Sequence, residues 1–84
     1  MWRLEFSREA LKALLRMPRA LARLVRRKLD GLARHPLQAP NVKKLSDHPG
    51  FRLRAGDWRI IYLIDNERVV IQVIRIAPRD EVYK

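Results

Sequence analysis

The sequence holds no cysteine, two histidines, and only nine acidic residues against nineteen basic ones. Without cysteine, neither a disulfide framework nor thiolate ligation of a metal is available. Two histidines and scattered acids do not make a zinc or iron centre either, so no metal and no cofactor is expected. No apolar run approaches the roughly 20 residues that a membrane helix needs. Arg3, Glu5 and Arg8 interrupt any signal-peptide reading of the N-terminus, which makes the cytoplasm the expected compartment. A Gly-rich phosphate loop of P-loop or dinucleotide type is missing, as is a nucleophile elbow. Ser7 and Ser46 have no base nearby in sequence, so a serine hydrolase reading finds no support. Repeats, low-complexity runs and linkers are absent, and the 84 residues read as one domain, 1–84. A chain this short buries about 60% of the surface its unfolded form exposes, which leaves room for a partner to add stability.

What the sequence has is positive charge, a net +10. Residues 1–49 carry 12 basic and 4 acidic side chains, residues 50–84 carry 7 and 5, and arginine outnumbers lysine throughout. Guanidinium groups grip phosphates bidentately and stack on bases, so a polyanionic partner is expected: RNA, DNA, an acidic protein or a ribosome. The arginine-rich composition of a high-GC or heat-adapted genome is the competing explanation.

Residues Gly50 to Tyr62 organise the chain. Phe51, Leu53 and Ala55 alternate with Arg52 and Arg54; Trp58, Ile60 and Tyr62 alternate with Arg59 and Ile61. Period-two alternation with aromatic and β-branched residues predicts two strands, and Ala55-Gly56-Asp57 supplies the turn of a hairpin. Arg52, Arg54 and Arg59 are then fixed on rigid strands. Either they decorate the outer face of a half-buried sheet, or they build a phosphate site. Arg59 falls opposite Trp58, Ile60 and Tyr62. If those three meet the helices, it points to an exposed concave face and is dispensable for folding.

The flanking segments complete the fold. Trp2 to Phe6 alternates as a strand, and Ser7 is a good N-cap for a helix with Ala10, Leu11, Leu14 and Leu15 on one stripe. Pro18 ends that helix and fits the first turn of a second, whose stripe is Leu21, Leu24, Val25, Leu29 and Leu32. His35-Pro36 ends the second helix. Leu37 to Gly50 reads as a loop with a short turn around Val42–Leu45, and Arg68 to Ile76 as a nearly continuous apolar strand. The order β-α-α-β-β-β predicts an α+β fold: a helical hairpin on one face of a four-stranded, mainly antiparallel, twisted sheet. Apolar residues on both sides of the strand from Trp58 imply a second covering element, most economically another chain.

Lys43-Lys44-Leu45, the run Gly50–Tyr62, and Ile76-Ala77-Pro78-Arg79-Asp80-Glu81-Val82-Tyr83 together resemble the RelE branch of the RelE/ParE toxin superfamily. The specific part is the pair of motifs, Arg-Leu-Arg-x-Gly-Asp-Trp-Arg-Ile-Ile-Tyr and the terminal Arg-x-Glu-Val-Tyr. The resemblance implies the toxin of a type II toxin–antitoxin pair: a ribosome-dependent endoribonuclease that cuts mRNA in the A site without metal. The messenger's 2′-hydroxyl attacks the adjacent phosphate and leaves a 2′,3′-cyclic phosphate. The resemblance carries catalytic roles onto Arg59, Arg79 and Tyr83. Arg52 takes the place of one of two family lysines, and Gly50 stands where the other would be. Substrate-binding candidates are Arg52, Arg54, Lys43, Lys44 and His48. Arg52 can stabilise an anion but is a poor proton acceptor; His48 is the candidate for a histidine that other members place on the catalytic face. Trp58 is either a stacking platform for a base or a core side chain. The expected partners are a cognate acidic, partly helical antitoxin, the ribosome and mRNA, with no membrane and no metal. Two other functions remain open: ParE-like inhibition of DNA gyrase by protein binding, and a non-catalytic co-repressor bound to its antitoxin. Arg59, Arg79 and Tyr83 together favour the nuclease over the gyrase inhibitor.

Overall fold

The alternation of the N-terminal segment becomes strand β1, Arg3–Phe6, and Ser7 caps helix α1, Arg8–Arg16, by accepting a hydrogen bond from Ala10 N at 3.0 Å. The Ser7 hydroxyl also donates to the Ile74 carbonyl at 2.8 Å, so the cap ties the helix start to the sheet. Pro18 lies at the N-cap of α2, Arg19–Arg34, where its missing N–H costs nothing because that end of a helix has spare donors. Four further strands follow: β2 (Val42–Lys44), β3 (Phe51–Ala55), β4 (Trp58–Asp65) and β5 (Val70–Pro78). The structure, a computed structural model, describes residues 1–81.

The sheet has five strands in the order β1-β5-β4-β3-β2, antiparallel except for the β1–β5 pair. The four-stranded expectation is therefore corrected by one. Val42-Lys43-Lys44 is too short to show an alternation, and it becomes a strand because β3 offers a free edge, pairing Val42 with Leu53, Lys43 with Arg52 and Lys44 with Phe51. The last strand also starts later than expected. Asp65 Oδ1 accepts from Glu67 N and Arg68 N, both at 3.1 Å, and Val69 takes a left-handed φ of 56°. Arg68 is thereby held in the turn.

Both helices lie on one face, where Val25, Leu29 and Leu32 meet Leu53, Ile60, Tyr62, Ile71 and Val73. Fully burying each such side chain is worth about 1.5–3 kcal/mol. Trp58 is partly buried against this core, which decides for the packing role over the stacking one. The α1 stripe is narrower than expected: Ala10 and Met17 are buried, whereas Leu11 and Leu15 are 48% and 78% exposed. A nine-residue helix resting on the edge of the sheet presents only its i, i+3/i+4, i+7 arc.

A bulge in β5 governs the other face. Ile61 pairs with Arg75, but Tyr62 pairs with Val73, leaving Ile74 as the extra residue. Strict alternation from Ile71 and Val73 would drive Arg75 into the core. The bulge flips the parity, so Ile76 joins the core while Arg75 and Ala77 face away from the helices. On that open face Ile61 and Ala77 are already buried, 5% and 7% exposed, with Leu45 and Ile74 packed beside them. The apolar surplus of β4 therefore does not require a second chain, because Leu45 and Ile74 on the same face pack against it.

Candidate functional site

The strand register assembles a basic face from side chains far apart in sequence. One row across the sheet runs Lys43, Arg52, Ile61, Arg75; the next, toward the β3–β4 turn, runs Arg54, Arg59, Ala77. Directly paired residues on antiparallel strands lie about 4.5–5.5 Å apart at Cα, so Arg54 and Arg59 are like charges in direct opposition, normally a destabilising arrangement. Each is turned toward neutral acceptors. Arg54 Nη2 donates to Asn41 Oδ1 at 3.1 Å, and Arg59 Nη1 donates to the carbonyls of Gly56 at 2.9 Å and Trp58 at 3.0 Å.

Several arginines are charge-compensated. Arg3, Arg26, Arg68 and Arg75 each pair with a carboxylate. Arg54, Arg59 and Arg79 meet none within 4.0 Å among the described residues. The site thus keeps its positive charge available for an anion, and in a partly buried setting that charge is screened less than on an open surface.

Arg79 reaches the same end of the sheet by its backbone. Its N–H donates to the Asp57 carbonyl at 2.8 Å, docking the residue after β5 onto the β3–β4 turn whose carbonyls hold Arg59. Its side chain is exposed. The structure therefore brings Arg59 and Arg79 to one turn, with Arg54, Arg52 and Lys43 on the adjoining face. Arg59 corrects the expectation in one respect: it is 9% exposed and anchored to two carbonyls, so it contributes to folding as well as to charge.

The other candidates fall elsewhere. Lys44 pairs with Phe51, which stacks on Tyr62 in the core, so it occupies the helix side of the edge strand and does not share a face with Lys43. His48 is exposed in the β2–β3 turn, its Nδ1 accepting from Gly50 N at 2.8 Å, which leaves the ring proton on Nε2. Gly50 and Arg54 are separated by about 13 Å along the strand at ~3.3 Å per residue, too far for the imidazole to act beside Arg59. Tyr83 lies outside the described residues. A cavity of about 340 Å³ lined by Arg27, Leu32, His35, Gln38 and Leu53 opens on the helix side, away from the basic face. No three His, Cys, Asp or Glu side chains come together among the described residues.

Arg75 is the member of the face that sequence reasoning missed. It is the lone charge within Val69–Pro78, and that interruption of an apolar run was the signal for the bulge.

Comparison with known proteins gives this geometry a context. A family model described as the ParE toxin of type II toxin–antitoxin system, parDE, matches residues 4–83. Toxin RelG of Mycobacterium tuberculosis is 30% identical over 67 residues, covering 80% of this chain and 77% of RelG. The mRNA interferase toxin RelE of Escherichia coli is 28% identical over 83 residues, 95% of this chain and 87% of that protein. The solved archaeal RelE–RelB complex from Pyrococcus horikoshii superposes with a TM-score of 0.81 at 28% identity, covering 96% of this chain and 98% of the other.

Proposed function

We propose that this chain, which belongs to the RelE/ParE superfamily of type II toxin–antitoxin toxins and to its RelE-like branch, is an endoribonuclease that cuts messenger RNA on the ribosome. The observation that carries this reading is the meeting of Arg59 and Arg79 at the β3–β4 turn, neither with a carboxylate within 4.0 Å among the described residues. The relative named an mRNA interferase supports the reaction class.

In the proposed reaction the 2′-oxygen of one nucleotide gives up its proton to water and forms a bond to its 3′-phosphorus, and the bond from phosphorus to the next 5′-oxygen breaks as that oxygen takes up a proton. Negative charge builds on the non-bridging oxygens of the phosphorane. Guanidinium donors fixed before reaction stabilise such charge without reorganising, which is the role assigned to Arg59 and Arg79. Arg52, Arg54 and Lys43 hold the flanking phosphates. Arg52 replaces a lysine and is too weak an acid to serve as base in its neutral form. Alignment of the 2′-hydroxyl therefore falls to the ribosome, a gain from proximity and orientation. Tyr83 retains its catalytic assignment from the terminal motif. No metal takes part.

The solved archaeal relative is bound to RelB. For this chain the corresponding partner is an acidic antitoxin that covers the basic face and the exposed Leu11 and Leu15 of α1.

Primer extension on messages from a translating extract with added protein tests the reading. New stops confined to translated regions are expected, with DNA supercoiling by gyrase unaffected. Intact messages together with inhibited supercoiling would replace this reading with the gyrase one.

A further inference from the structure

Arg75 does not behave like the other cations of its face. Its Nη1 is 2.8 Å from Glu9 Oε1, in the first turn of α1. Its Nη2 donates at 3.0 Å to the backbone carbonyl of Glu81. One planar guanidinium thus spans three parts of the chain: the helix start, the sheet, and the segment after β5. The side chain is 30% exposed, and its buried Nε finds no hydrogen-bond partner among the described residues.

The segment it reaches carries Arg79. Arg79 is docked at one end through its N–H to the Asp57 carbonyl. Glu81 N donates back to the Pro78 carbonyl at 2.9 Å, closing a turn. Among the described residues, this turn would without a second anchor be held only by its junction with the β3–β4 hairpin. The Glu81 carbonyl supplies that second anchor, and Arg75 is the group that grips it. The bulge at Ile74 is what turns Arg75 to this position, and the Ser7 hydroxyl, one residue before α1, secures the bulge by donating to the Ile74 carbonyl.

We propose that Arg75 is a positioning residue: oriented by Glu9, it clamps the Glu81 carbonyl and so fixes the segment that presents Arg79 to the scissile phosphate. The proposal rests on the nuclease reading for its effect on rate, and on geometry alone for its effect on the order of residues 79–81. Arginine is required because the fork offers parallel donors to two acceptors at once; an ammonium is a point charge without that geometry.

The test exploits what a carboxylate cannot do. Exchanging the pair, Glu9→Arg with Arg75→Glu, restores the ion pair between α1 and β5 but places an acceptor where the Glu81 carbonyl needs a donor. We compare this exchange with Arg75→Gln, Arg75→Lys and wild type, measuring melting temperature, backbone amide heteronuclear NOEs of residues 79–81, and the kcat and KM of cleavage on programmed ribosomes. The exchange is expected to recover the melting temperature lost in Arg75→Gln while the NOEs stay low. In both, kcat is expected to fall about a hundredfold, the cost of a roughly 1 Å misplacement, with KM within about twofold. Arg75→Lys should fall between. If the exchange restores kcat and NOEs together with stability, Arg75 is only an ion-pair partner and the clamp is wrong. If Arg75→Gln keeps wild-type kcat and NOEs, it is wrong as well. Should wild type itself fail to cut, the nuclease reading fails, and the NOE comparison alone decides the clamp.

Discussion

Replacing Arg59 with alanine should damage the protein twice, and the two effects can be separated. The guanidinium is 9% exposed, and its Nη1 satisfies the carbonyls of Gly56 and Trp58. Truncation removes both hydrogen bonds at the hairpin turn and opens space beside β4, at a cost of about 1–3 kcal/mol. A domain of this length has on the order of 4–12 kcal/mol in total, so the loss is readily measured by urea unfolding. Cleavage should fall roughly a hundred- to a thousandfold, the usual effect of losing one donor to developing negative charge. Lysine at the same position can donate to one carbonyl yet has no fork to share between turn and phosphate. Arg59→Lys should therefore recover part of the stability and little of the rate. Arg79→Ala provides the contrast: its side chain is exposed and its anchor is a backbone N–H that alanine keeps. Its stability should stay within about 0.5 kcal/mol of wild type while cleavage is lost. The reasoning is refuted if Arg59→Ala unfolds at the wild-type urea concentration, or if the folded fraction of either alanine variant cuts at the wild-type rate.

Other consequences follow from the same packing. Burial pushes the Tyr62 hydroxyl up to about 12. The unfolded chain loses this proton near pH 10 and the folded one near 12, so stability is whole below pH 10 and declines above it. The loss approaches ~3 kcal/mol; it should appear in urea melts of wild type and vanish in Tyr62→Phe. Restoring a lysine by Gly50→Lys should fail: a Cβ there would lie 2.8 Å from the His48 ring and 3.0 Å from the Tyr62 carbonyl. The ring can swing away but the backbone cannot, and thermal melts should show a loss of about 1–3 kcal/mol. Ser7→Ala removes both the α1 cap and the tie to Ile74, and should cost about 1–2 kcal/mol by urea unfolding.

The elements most legible in the sequence were those where pattern and turn chemistry agreed. Ser7, Pro18 and His35-Pro36 mark helix ends to within a residue, and Ala55-Gly56-Asp57 marks the hairpin, with Gly56 at φ 61°. What escaped depends on contacts between distant segments. Val42–Lys44 has no intrinsic strand pattern and is made one by its pairing with β3. The bulge at Ile74 changes the facing of Arg75 without any local glycine or proline to announce it. Arg59 was placed correctly by parity, yet its burial comes from the turn folding back to offer two carbonyls, which alternation does not encode. Lys43 and Lys44 are neighbours with equal claims in the sequence, and only the register separates them, one on the basic face and one on the helix side.

The Arg59–Arg79 corner is proposed to cut messenger RNA held by a ribosome. The direct measurement adds purified protein to a defined end-labelled message, free in one reaction and bound to programmed ribosomes in the other, and analyses the new ends. A single cut in the A-site codon is expected, with a 2′,3′-cyclic phosphate on the upstream fragment, at least a hundredfold slower with Arg79→Ala and nearly absent on free RNA. An intact message on the ribosome, or equally rapid cutting of free RNA, would contradict it.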